Sequence, residues 1–117
     1  MDTIPAILEY RDSLESLSSF SLRLDECSHL NNVLEVLLIM ESAGKVRIKH
    51  LHVSLYSRNR YLGSVYLSDI DVANVSKRSI HMREVPVGGE IDWVAKVVLY
   101  SGEVTLVKRF RGSIVCK

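Results

Sequence analysis

Three groups of residues in this 117-residue chain have side chains able to do chemistry. His50-Leu51-His52 on a strand would put two imidazoles on one face, and Asp69 and Asp71 can share that face from a neighbouring strand. His81 is the remaining histidine that could complete such a set, so the pattern is that of a metal site on a barrel. Cys27 precedes His29 by two residues, and Cys116 is penultimate, which raises a thiolate nucleophile. The third group is basic: Lys45, Arg47 and Lys49; Arg58 and Arg60; Lys77 and Arg78; and Lys108, Arg109 and Arg111. Tyr56, Tyr61 and Tyr100 lie among or near these clusters, and aromatic rings can stack on unpaired bases.

The first two groups are weak. Two histidines at spacing two are common on strand surfaces, and a metal needs a further ligand that the expected register does not bring up. That register sets His50 and His52 opposite Leu67 and Val65, with the aspartates one step further along. Adjacency of Cys27 and His29 in a strand or turn does not activate a thiol, and no serine sits in a glycine-flanked elbow. The expectation is a non-enzymatic protein with no catalytic residue, no metal ligand and no cofactor. A metal-dependent barrel enzyme is the third reading.

Net charge is only +1, but it is unevenly spread. Residues 1–44 hold eight acids and two bases, and residues 45–117 hold thirteen bases and six acids. Either the acidic part packs against the basic part, within the molecule or between copies, or the basic surface meets phosphate. If several clusters converge on one face, they can hold a nucleic-acid backbone or an anionic membrane surface. In the plainer alternative Arg109 and Arg111 pair with Asp92 or Glu103 and the tyrosines are core. No RNP1 or GXXG signature is present.

The elements that must position these groups follow from hydrophobic period. Ile91–Tyr100 and Glu103–Arg111 flank Ser101-Gly102 and read as a hairpin. With Tyr100 opposite Glu103, one face carries Trp93, Ala95, Val97 and Leu99 against Val104, Leu106 and Phe110. The other carries Lys96, Tyr100, Thr105, Arg109 and Arg111. Val46–Tyr56 and Tyr61–Val72 form a second hairpin around Ser57–Arg60, with Tyr56 opposite Tyr61. Its expected core face is Leu51, Val53 and Leu55 with Leu62, Tyr66, Ile70 and Val72, and Lys45, Arg47 and Lys49 at its far end lie either beyond the core edge or after a bulge that re-aims them. Phe20, Leu22 and Leu24 alternate with polar residues as a half-buried strand, and Asp25–Asn32 is turn-like. Val33–Glu41 fits helix or strand; the strand reading makes Ser42–Lys45 a hairpin turn. Ala73–Ser79 is expected as a loop, Ile80–Val87 as a short strand ended by Pro86, and Gly88-Gly89 as a turn.

Thr3 to about Leu17 has helical spacing, with Ile4, Ile7, Leu8, Leu14 and Leu17 on one side, Glu9, Asp12 and Glu15 on the wet side, and Thr3 as N-cap. The whole is expected to be a single domain, 1–117: an N-terminal amphipathic helix over 1–19 and a β domain over 20–117. The β domain reads as an antiparallel sandwich or partly open barrel of about seven short strands. With 47% hydrophobic and 25% charged residues the chain is globular, not disordered. Two cysteines so far apart suggest no disulfide framework, hence a reducing, cytoplasmic setting. No signal peptide and no transmembrane segment are expected.

Valines on both faces of the last hairpin, Val94 and Val98 behind Val97 and Leu99, suggest self-association unless the helix covers them. The leading expectation is therefore a non-catalytic interaction or assembly protein, a homo-oligomer, with viral accessory or matrix-type proteins as one setting. The alternative is a nucleic-acid or anionic-membrane binder using the ten basic residues named above.

Overall fold

In the computed structural model, residues 3–85 and 89–117 are described, with side chains from Arg11 onward in that range. One helix, α1 (Thr3–Ser19), precedes five strands: β1 (Ser21–Leu30), β2 (Val33–Ser57), β3 (Arg60–Met82), β4 (Gly89–Ser101) and β5 (Val104–Cys116). The sheet order is β1-β5-β4-β2-β3, and β1 also pairs with β2. Strands β1, β2, β4 and β5 thus close into a four-strand barrel, with β3 added outside β2. The expected mainly β domain with one helix is present.

Among the described residues there are five strands, not seven, because two expected breaks do not occur. Val33–Glu41 is strand, and it runs through the expected Ser42–Lys45 turn into the next segment as one 25-residue strand. Ala43 and Gly44 form a bulge there, between the pairs Ser42–Asn74 and Lys45–Ala73. The bulge holds because α1 docks on it: the Ser19 hydroxyl accepts the Ala43 N–H at 2.8 Å, and Ser16 lies directly over Gly44, where no side chain fits. Ala73–Ser79 is likewise strand, since β3 tracks β2 across the bulge. Asp25–Leu30 extends β1 instead of forming a turn. The turn there is Asn31-Asn32, with φ 53 and 61, and Arg58-Asn59 makes its counterpart with φ 50 and 65. Two consecutive positive φ values are what a two-residue type I′ hairpin needs, and asparagine tolerates them. Pro86, Val87 and Gly88 lie outside the described residues, as do the Thr3 cap and the side chains of Ile4, Ile7, Leu8 and Glu9.

The barrel interior takes alternate residues: Leu22 and Leu24 from β1, Leu34, Val36, Leu38 and Met40 from β2, and Ile91, Trp93, Ala95, Val97 and Leu99 from β4, all buried. Leu17 of α1 is fully buried, and Phe20 meets Phe110 edge-on at 5.8 Å between centroids, so the helix closes one end of the barrel. At the other end β1 and β5 meet in a parallel bridge, Cys27 with Cys116. Lys117 N–H donates to Cys27 O at 3.0 Å, and His29 N–H to Lys117 O at 3.1 Å. The two cysteines form a disulfide across this seam, against the expectation of unpaired thiols. Glu26, at φ 43, is the reason: it bulges β1, so Cys27 follows Leu24 inward and faces Cys116.

Candidate nucleic-acid interface

In the last hairpin Ser101 pairs with Val104, and Gly102-Glu103 is the loop. Gly102 has φ 59, as the first loop position of a type II′ turn requires. The loop lies one residue later than expected, which moves each partner by two and keeps both faces. Trp93, Ala95, Val97 and Leu99 face the barrel, while Lys96, Arg109 and Arg111 are exposed outside it.

The β2–β3 hairpin departs more. Tyr56 pairs with Tyr61 as expected, but Leu62 is then unpaired and the register slips by one. His52 consequently faces Tyr66, and His50 faces Ser68. Tyr66 is 75% exposed and not core, whereas Leu67 and Val65 turn inward. A second irregularity, at Asp69 with φ 55, restores the phase, so Ile70 and Val72 are core. Lys49 sits at a β2 bulge between Ile48 and His50, the second of the two placements expected for the basic residues there.

These registers set one row across four strands on the outer face: Tyr66 of β3, His52 of β2, Lys96 of β4 and Arg109 of β5. In the next row Ser64, Ser54, Val94 and Arg111 follow in the same order. Directly opposed residues on one sheet face lie about 5 Å apart at Cβ. The Tyr66 and His52 rings are stacked, 4.2 Å between centroids and 6° from parallel. A chain of hydroxyls runs beside them: Tyr61 to Ser64 at 2.6 Å, Ser64 to Ser54 at 3.0 Å, and Ser54 to His52 Nε2 at 3.4 Å. Tyr56 and Tyr61 pack at 5.7 Å. Among the described residues no carboxylate lies within 4 Å of Lys96, Arg109 or Arg111. Asp92, one expected partner, instead accepts the Ser113 hydroxyl at 2.6 Å.

The ten basic residues do not all gather here. Arg47 is held by Asp71 at 3.6 Å and Asp69 at 4.0 Å. Lys45 and Lys49 lie toward the Gly102 end of β2 and β4. Arg58 lies in the hairpin turn and Arg60 directly after it, and Lys77 and Arg78 lie on the other half of β3, beside Ile39 and Leu38. Lys108 turns toward the helix: its ammonium donates to Ser18 O at 2.7 Å and Phe20 O at 3.0 Å. Burial lowers its pKa below the usual 10.5. Its charge is used to cap α1, where carbonyls have no helical partner. Arg109 and Arg111 are thus the two that converge, joined by Lys96, which sequence reasoning had placed on the basic face but outside the clusters.

Other groups are placed apart. His81 reaches Glu35 at 3.4 Å, and His29 Nε2 donates to Val85 O at 2.6 Å, so neither joins His50 and His52. No cluster of three metal-ligating side chains forms among the described residues. No ion pair links an acid of residues 11–44 to a lysine or arginine of residues 45–117 among the described residues. No described helix is long and apolar enough to cross a membrane. The helix does not cover the outer face either, for Val94 is 42% and Val107 47% exposed.

No family model matches the chain, and no curated protein matches it. Among solved structures it is similar to a protein from Archaeoglobus fulgidus, with a TM-score of 0.51 and 13% identity over 85% of this chain and 96% of that one. It is also similar to a candidate late embryogenesis abundant protein, with a TM-score of 0.50 and 10% identity over 96% of this chain and 83% of that one. At such identities the likeness is one of fold.

Proposed function

We propose that this is a non-catalytic binding protein whose outer sheet face takes single-stranded nucleic acid. The observation that carries the reading is the cross-strand row Tyr66–His52–Lys96–Arg109, with Arg111 beside it. Three cations on adjoining strand positions repel one another, and like charges directly opposed cost stability. An arrangement with that cost, and with no described carboxylate to offset it, suits a polyanion. The stacked His52–Tyr66 pair supplies the second half: the outer face of the Tyr66 ring is open to a base. A duplex hides its bases and offers nothing to that ring. A membrane surface would use the cations and leave the ring pair idle.

The disulfide bears on setting. Bonded cysteines persist in oxidising compartments and also inside hyperthermophilic cells, so Cys27–Cys116 argues against an ordinary reducing cytoplasm and leaves an intracellular nucleic-acid ligand open.

The test is fluorescence anisotropy with a labelled single-stranded oligonucleotide, the matching duplex, and vesicles of anionic lipid as separate titrants. Tighter binding of the single strand than of the duplex, lost on Tyr66→Ala, is the expected result. Preference for the vesicles, or affinity indifferent to Tyr66, contradicts it.

A further inference from the structure

Among the described residues, the outer edge of β3 is open along a long strand. β3 ends the strand order, pairs with β2 throughout, and has no described strand on its other side. Irregularities at Leu62, Asp69 and Asn74 leave Gly63–Ser68 and Val75–Met82 as its two longer regular stretches, with the short Ile70–Ala73 between them. The later one carries Lys77, Arg78 and His81, charges of the kind that discourage strand addition. The earlier one, Gly63–Ser68, has no charge at all and presents Tyr66. A short, uncharged, regular edge is a template for β-augmentation.

We propose that the strand it accepts is β3 of a second copy of this chain, antiparallel, along Gly63–Ser68. The flanking charges select this partner. Arg58 and Arg60 bracket the stretch at one end, and Asp69 and Asp71 at the other. An antiparallel copy lays the arginine end of each chain against the carboxylate end of the other, twice by symmetry. A parallel copy would set like against like. A two-fold axis normal to the sheet makes the contact isologous and keeps both outer faces on one side. The row Arg109–Lys96–His52–Tyr66 then continues into the same row of the second copy in reverse order. With strands about 4.8 Å apart, a track of roughly 14 Å becomes one of roughly 34 Å. This extension rests on the reading of the outer face given above; the pairing itself does not.

Sedimentation velocity over a concentration series tests it. The wild-type chain is expected to dimerise. Arg60→Glu and Asp71→Lys, both at exposed positions, should each weaken self-association at least about tenfold by facing like charges across the contact. The double variant Arg60→Glu/Asp71→Lys should restore it, which a mere loss of folding could not do. A wild-type monomer throughout the series, or single variants as dimeric as wild type, overturns the pairing. Single-strand binding by a strict monomer overturns it too, while leaving the face reading standing. A dimer without affinity for single strands supports the pairing and removes the face reading.

Discussion

Tyr66 and His52 lie ring on ring across the β3–β2 pair, 4.2 Å between centroids. Only one face of Tyr66 is used by this contact, and the residue is 75% exposed. Tyr66→Ala is expected to weaken single-strand binding by about 1–3 kcal/mol, the range for one stacked base. Its thermal stability should stay within about 0.5 kcal/mol of wild type, as for a surface change away from the core. Anisotropy titration and a melting curve check both halves, and Tyr66→Phe should bind nearly as wild type.

The Cys27–Cys116 bond joins residues 89 apart across the seam of the barrel. Besides that bond, the seam has one parallel bridge and two main-chain hydrogen bonds. In the chain-entropy account a cross-link over so long a loop contributes on the order of 4 kcal/mol. Cys27→Ser/Cys116→Ser should therefore unfold at markedly lower denaturant. The wild-type midpoint should fall toward that of the variant when reductant is added, and the variant's should not move.

Lys108 holds the end of α1 through the Ser18 and Phe20 carbonyls. Lys108→Met keeps the stem and removes the charged donor. A loss of about 1–2 kcal/mol is expected in urea unfolding. Burial lowers the Lys108 pKa, so as pH rises the folded chain releases this proton before the unfolded chain does. Between the lowered value and 10.5 the unfolded state binds more proton, and Lys108's contribution to stability grows with pH. The stability difference between wild type and Lys108→Met should accordingly widen as pH rises through that window.

Gly112 lies under the indole of Trp93, its direct cross-strand partner. A Cβ there would come within 2.9 Å of Trp93 Cζ2 and 3.0 Å of Nε1. The ring is buried and cannot step aside cheaply. Gly112→Ala should cost about 1–3 kcal/mol, as overpacking does, and red-shift the tryptophan emission if the indole is pushed toward solvent.

Period-two patterning is strong enough that the faces of β4 and β5 were readable: Trp93, Ala95, Val97 and Leu99 point inward although the turn lies one residue from its expected place. What escaped was set by single-residue irregularities. Leu62, Asp69 and Glu26 are neither glycine nor proline, and the glycine of Ala43-Gly44 reads as a hairpin turn, yet each shifts the phase of its strand. That is why Tyr66 passed for core and Cys27 for a turn residue. The stacked pair and the disulfide are consequences of those shifts, so neither could be had without the register. Lys96 was visible on the basic face, but its place beside His52 depended on the β2–β4 pairing of strands far apart in sequence. Lys108 shares the alternation of the inward residues, which was the available sign that its charge serves the helix and not the surface.

In the proposed interface Lys96, Arg109 and Arg111 meet phosphates. The salt dependence of single-strand affinity measures this most directly, because each neutralised phosphate contributes about 0.7 to the slope of log K against log salt. For the variant Lys96→Ala/Arg109→Ala/Arg111→Ala, the slope should be shallower than wild type by about 2. A wild-type chain whose affinity ignores salt, or a variant with an unchanged slope, would contradict the claim.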